Sequence, residues 1–113
     1  MTHAPLSVLI FAGSTREHSF NRRLAHNAAT MARAAGAQVT LLELSTLDIP
    51  IYNADLEAHG TPPDVIRLKE IMDAHPAWII CSPEYNGSYT GLLKNTIDWA
   101  SSPAKSHPRW ING

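Results

Sequence analysis

Three apolar runs constrain this chain more than anything else in it: Val8-Leu9-Ile10-Phe11, Val39 to Leu44, and Ala77-Trp78-Ile79-Ile80-Cys81. The first and third are continuously apolar rather than alternating. A strand reads that way when both faces of its sheet are covered, as in parallel sheets flanked by helices. Between the runs lie stretches with helical spacing. Ser7 to Ala12 is therefore the first predicted strand. A helix is predicted from Ser19, which can cap it, to Gly36, which ends it, with Phe20, Leu24, Ala28, Met31 and Ala35 on its inward face. Val39 to Leu44 follows closely as the second strand. A βαβ unit of this length predicts parallel strands and a right-handed crossover.

Ser45 to Gly60 shows no clear period and reads as irregular. Thr61-Pro62-Pro63-Asp64 predicts a helix start, with a cap, prolines in the first turn and an acid at the third helical position. Val65, Leu68, Ile71, Met72 and His75 carry that helix to Pro76. The third strand, Ala77 to Cys81, leads into a polar loop from Ser82 to Gly91. A last helix runs from Leu92 to Ala100, with Leu93, Ile97 and Ala100 inward. Residues 101–113 carry no assignable pattern. The order β-α-β-α-β-α predicts a doubly wound parallel α/β sheet. In the flavodoxin-like order 2-1-3-4-5 the third strand is internal, yet here no fourth strand follows. Trp78 to Cys81 has no charge or proline to blunt an open edge. The expectation is a fragment of a larger sheet. A partner chain, or Trp110-Ile111 folding back, would also cover that edge.

Composition limits the function classes. The chain has 113 residues, room for one small domain, and 44% are hydrophobic, enough to build a core. A net charge of -1, from 9 basic and 10 acidic residues, argues against a nucleic-acid surface. The single cysteine, Cys81, allows no internal disulfide and fits a reducing compartment. No signal peptide pattern opens the chain, and no apolar run approaches the ~18 residues of a membrane span. The expected location is the cytoplasm. The six histidines are scattered without metal-ligand spacing, so no metal site is expected. Cys81 reads as a buried, inert thiol.

The chemistry is expected in two loops. Gly13-Ser14-Thr15-Arg16-Glu17-His18-Ser19-Phe20-Asn21 joins the first strand to the first helix. Free backbone N–H groups and the positive end of a helix dipole meet there, which suits a phosphate. Ser14, Thr15, Ser19 and Asn21 add short donors, and Arg16 adds charge. The second loop supplies Pro83, Glu84, Tyr85, Asn86 and Gly87. In the 2-1-3 order, both loops leave neighbouring strands at the topological switch point where such sheets bind ligands. A P-loop is excluded, because no second glycine and lysine follow Gly13 at the needed spacing. A dinucleotide fingerprint is excluded because Thr15 stands at its second glycine. A mononucleotide ending in a phosphate remains.

Three motifs then fall into place together: Gly13-Ser14-Thr15-Arg16 with Ser19-Phe20-Asn21; Pro83-Glu84-Tyr85-Asn86-Gly87-Ser88; and Leu93-Lys94-Asn95-Thr96-Ile97-Asp98-Trp99. With Asp48-Ile49-Pro50-Ile51-Tyr52-Asn53 as the connecting loop, residues 6 to 103 resemble the NADPH-dependent FMN reductase family. That family has a flavodoxin-like fold and includes quinone, chromate and azo-dye reductases. The resemblance implies that residues 1–113 are the N-terminal part of one flavodoxin-like FMN-binding domain. It places the FMN phosphate with Ser14, Arg16, Ser19 and Asn21, and the flavin ring against Pro83, Glu84, Tyr85, Asn86 and Gly87. It implies NADPH, with NADH possible, as hydride donor, a quinone or similar small molecule as acceptor, and a homo-oligomer. No side chain need act as acid or base, because the cofactor carries the chemistry. Asp98 and Trp99 are expected to be structural, Tyr89 to pack the loop, and Glu84 to orient it, touch flavin or pair with a neighbouring subunit. The alternatives are a flavodoxin-type electron carrier, whose usual acidic surface a charge of -1 does not match, and an incomplete, non-catalytic FMN-binding fragment. A phosphoryl-transfer enzyme is disfavoured, since loop one has no nucleophilic cysteine or metal-binding aspartate.

Overall fold

The computed structural model of the chain describes residues 4–16 and 19–102. Its elements are β1 (Ser7–Ala12), α1 (Phe20–Ala34), β2 (Gln38–Leu42), α2 (Ala54–His59), α3 (Pro63–Asp73), β3 (Ala77–Cys81) and α4 (Gly91–Ala100). The strands form one parallel sheet in the order β2-β1-β3. The register pairs Ser7 with Gln38 and Phe11 with Leu42 on one side of β1, and Val8 with Ala77 and Ala12 with Cys81 on the other. β1 is buried on both faces, as its continuous apolar run requires.

Alternate residues of β1 serve two cores. Val8, Ile10 and Ala12 face α1 and pack with Ala25, Ala29 and Cys81. Leu9 and Phe11 face the other way, with Leu44, Leu68, Met72, Leu93 and Ala100 from the α3–α4 side. The helices that follow β1 and β3 therefore lie on opposite faces of the sheet, as the switch-point reading requires.

α1 begins and ends as expected. Ser19 Oγ accepts from the N–H groups of Asn21 and Arg22, and Gly36 takes the left-handed conformation just past the end (φ +94°). Its inward face is not the expected one. Phe20, Leu24 and Met31 are 79%, 54% and 72% exposed, while Ala25 and Ala29 are buried. The larger apolar residues do repeat helically, but close helix–sheet approach selects the small ones.

Other boundaries shift too. β2 stops at Leu42, and Leu44–Thr46 forms a short 3-10 turn. The region read as irregular contains α2, capped by Asn53, whose side chain accepts from the N–H groups of Asp55 and Leu56. At α3 the cap position falls on Pro62 rather than Thr61, with no side-chain cap. Asp64 instead accepts from the Asp48 N–H at 2.6 Å and pins the preceding loop. In α4 the inward residues are Leu93, Thr96, Trp99 and Ala100, and Ile97 points out. Thr96 can face inward because its hydroxyl donates to the Leu92 carbonyl of its own helix. β3 has the expected bounds, but Trp78 and Ile79, on opposite faces of the sheet, stay more than a third exposed. Trp110-Ile111 lies outside the described residues.

Candidate functional site

The register brings the C-terminal ends of β1 and β3 level, so both polar loops leave side by side. Gly13 N–H donates to the Cys81 carbonyl at 2.8 Å, one step beyond the regular pairing. A Cβ on Gly13 would stand 3.1 Å from Leu93 Cβ and 3.3 Å from Thr90 Oγ1. Glycine is needed here for close approach of the two loops, not for an unusual backbone angle.

Past Gly13 the chain turns into α1. Ser14 is buried and its Oγ accepts from the Arg16 N–H at 3.4 Å; Ser19 Oγ accepts from Asn21 and Arg22 at 3.2 and 3.4 Å. A hydroxyl that accepts a backbone bond still has its own proton to donate. Both serines can thus offer O–H to an anion while holding the turn. The N–H groups of Asn21 and Arg22 are already engaged by Ser19. An anion here would be met more by hydroxyls and the exposed Arg16 guanidinium than by the bare amides that sequence suggests.

Arg22, in the first turn of α1, is the residue beside this loop that sequence reasoning missed. Its Nη1 donates to the Arg16 carbonyl at 3.2 Å, and its Nε and Nη2 meet Glu43 Oε2 at 3.2 and 3.1 Å. It ties the loop to the segment just after β2. Its only sequence signal is its place one turn into a helix, which many surface arginines share.

The second loop contains a two-residue turn. Tyr85 and Ser88 exchange both backbone hydrogen bonds, at 2.8 and 3.0 Å, with Asn86 and Gly87 between them at φ +53° and +78°. Positive φ at both central positions is the reason for Asn-Gly. The N–H groups of Asn86 and Gly87 are not used within that turn. Thr90 closes the loop. It caps α4 by accepting from the Leu93 N–H at 3.1 Å, and it donates to the Gly13 carbonyl at 2.7 Å.

A cavity of about 170 Å³ lies where the loops meet, lined by Ser14, Arg16, Ser19, Phe20, Asn21, Pro83 and Tyr85. Six of the nine residues named from sequence line it. Glu84, Asn86 and Gly87 do not; they stand on the exposed turn in the same loop. The volume is below the roughly 300 Å³ at which pockets for drug-sized ligands begin. It suits a phosphate-sized anion. A larger cavity, about 380 Å³, lies between α2 and the start of α3 and is lined by Asp48 and Asp64 among others. Its carboxylates would repel a phosphate, and neither polar loop borders it.

The third motif is structural. Trp99, fully buried, donates Nε1–H to the Pro50 carbonyl at 2.7 Å, and Asn95 Nδ2 donates to the same oxygen at 2.9 Å. Asn95 Oδ1 accepts from the Tyr52 N–H at 2.7 Å, and the Tyr52 and Trp99 rings meet edge to face, 4.9 Å between centroids. α4 thus fastens the 50–52 loop. Lys94 and Asp98 pair on its outer side, where the Asp98 carboxylate raises the Lys94 ammonium pKa. Burial pushes the Cys81 thiol above its ordinary value of 9.0. Among the described residues, no group of three or more His, Cys, Asp or Glu is placed to hold a metal ion, and no helix is long and apolar enough to cross a membrane.

A doubly wound α/β sheet with an anion-suited cavity at its switch point defines the class. The chain belongs to the NADPH-dependent FMN reductase family, whose model matches residues 6–112. Among proteins it resembles, an NAD(P)H-dependent FMN reductase of Pseudomonas aeruginosa is 41% identical over 98 residues, covering 87% of this chain and 51% of that protein. An NAD(P)H:quinone oxidoreductase of Solanum tuberosum is 39% identical over 101 residues, with the same coverage of each. In structure, the flavoenzyme NAD(P)H:(acceptor) oxidoreductase FerB of Paracoccus denitrificans superposes with a TM-score of 0.77 at 37% identity, over 88% of this chain and 53% of that one. The chain spans about half the length of these relatives. Its three strands in the order 2-1-3 are a flavodoxin-like arrangement.

Proposed function

We propose that this chain is the N-terminal, FMN-binding part of a flavodoxin-like NAD(P)H oxidoreductase that reduces quinones or similar small acceptors. The observation that carries this reading is the cavity at the switch point, where hydroxyls and a guanidinium from one loop face Pro83 and Tyr85 from the other. Ser14, Arg16, Ser19 and Asn21 would hold the phosphate. Pro83, Glu84, Tyr85, Asn86 and Gly87 would border the ring, and the unused Asn86 and Gly87 N–H groups would donate to its polar edge. Bound FMN supplies the hydride-accepting chemistry. The chain's residues bind it, orient it and leave one side open to NADPH or NADH and then to the acceptor. None of them need move a proton.

Two further features belong to the same reading. A free, buried Cys81 supports a reducing compartment, the cytoplasm. The exposed apolar residues of α1 support a homo-oligomer.

The test is FMN titration followed by flavin fluorescence, then NADPH oxidation with and without a quinone. Tight FMN binding and quinone-dependent oxidation support the full reading. A second reading rests on the half-length match: the chain by itself binds FMN but does not catalyse. FMN binding without NADPH oxidation would select it. A preparation that stays colourless in excess FMN rules out both.

A further inference from the structure

We infer, resting on the FMN reading above, that Thr90 is a positioning residue that sets the phosphate loop at the right distance from the ring loop. Its hydroxyl is buried and both donates and accepts: it accepts from Leu93 N–H at 3.1 Å and donates to the Gly13 carbonyl at 2.7 Å, across 77 positions of sequence. The first bond is an ordinary helix cap. The second is not needed for capping, and it joins the first residue of one site loop to the last residue of the other.

Gly13 is the last point at which the phosphate loop is fastened to the sheet. Its N–H is held by the Cys81 carbonyl at 2.8 Å and its carbonyl by Thr90. Ser14, the first residue lining the cavity, follows directly. On the other loop, Pro83 and Tyr85 lie between the same two anchors, Cys81 and Thr90. The spacing of the Ser14 hydroxyl from Tyr85 is therefore set in part by this bond.

A ligand with two recognised ends binds tightly only when its two subsites are spaced to its length, as a linked pair of modules does. FMN has two such ends. Riboflavin, which lacks the phosphate, engages only the ring loop. Loss of the Thr90–Gly13 bond should therefore weaken FMN much more than riboflavin. A purely structural loss would weaken both in proportion.

The experiment measures dissociation constants of FMN and riboflavin by fluorescence for the wild-type chain, Thr90→Val and Thr90→Ser. Thr90→Val keeps the shape and removes both bonds; Thr90→Ser keeps both. Thr90→Val should weaken FMN by about tenfold or more and riboflavin by less than about twofold, and Thr90→Ser should restore FMN to within about threefold. If Thr90→Val does not fold, Gly13→Ala decides: its Cβ presses on Thr90 and Leu93 and should show the same selective loss. Equal loss of both ligands, unchanged FMN binding, or failure of serine to rescue overturns the assignment of Thr90 alone. A wild-type chain that binds neither ligand, or binds FMN no tighter than riboflavin, overturns the phosphate reading and this inference with it.

Discussion

Arg16, in the first loop, and Arg22, in the first turn of the helix after it, serve different ends. Arg22 is fastened to Glu43 and to the Arg16 carbonyl; Arg16 has no ion pair among the described residues and lines the cavity. Arg16→Ala should therefore weaken FMN while leaving the melting temperature unchanged. A lost charge-assisted contact is worth about 1.5–3 kcal/mol, roughly ten- to hundredfold in affinity. Unchanged affinity in a fluorescence titration would remove Arg16 from the phosphate site. Arg22→Ala should instead lower stability, by about 1 kcal/mol for a partly buried pair, seen in urea denaturation. Gly87 makes a different demand. At φ +78° an alanine costs about 1–2 kcal/mol, and the same unfolding measurement reads it. Cys81 predicts a pH effect. Its folded pKa is raised, so the neutral thiol is favoured in the fold and the unfolded chain loses its proton first. This contribution to stability is complete below the ordinary value of 9.0 and fades as pH rises from there through the folded pKa. Alkylation of the native chain at alkaline pH should lag behind that of the denatured chain. Equal rates would show the thiol to be accessible.

At the scale of elements, α1 shows most clearly how a pattern misleads. Its apolar residues at positions 20, 24, 28 and 31 repeat at helical spacing, and period alone cannot say which of two apolar stripes faces the sheet. Arg22 and His26 reach Glu43 just past β2, which fixes the helix rotation. Ala25 and Ala29 then lie on the sheet, and Leu24 and Met31 stay exposed. Met31→Glu should accordingly cost less than about 0.5 kcal/mol, the range of ordinary surface changes. Ala29→Leu should cost about 1–3 kcal/mol by overpacking. Chemical denaturation of the two variants decides, and the reverse ranking would restore the expected face. The ends of this helix were legible because capping is local: Ser19 bonds two and three residues ahead, and Gly36 needs only its own backbone. α2 was not legible. Its six residues show no period, and Asn53 is a capping residue type that also suits a loop.

The whole molecule leaves several large apolar side chains exposed. The register sets Ile79 opposite Ile10, so it shares the α1 face of the sheet, and it remains 39% exposed, as Leu24 and Met31 of α1 remain exposed. Among the described strands β3 pairs only with β1. Exposed apolar side chains favour association. Sedimentation should show concentration-dependent self-association of this chain, and Ile79→Lys should reduce it. A monomer at all concentrations would mean that the surface is covered in another way. The family, strand order and most of the cavity lining were readable in advance, since they follow from strand-loop-helix order and motif spacing. Glu84, Asn86 and Gly87, expected beside the ring rather than the phosphate, stand on the exposed turn outside that cavity, and motif membership says nothing about which side of a turn a residue occupies.

Sequence by itself determined the alternation of strands and helices, the two polar loops and the glycines and hydroxyls that shape them, because each depends on residues a few positions apart. Only the tertiary structure decided which stripe of α1 meets the sheet, that Arg22 anchors rather than binds, and that Thr90 reaches Gly13. Those outcomes depend on groups brought together from distant parts of the chain. Their partners are chosen by how closely two packed layers can approach, which no local pattern encodes.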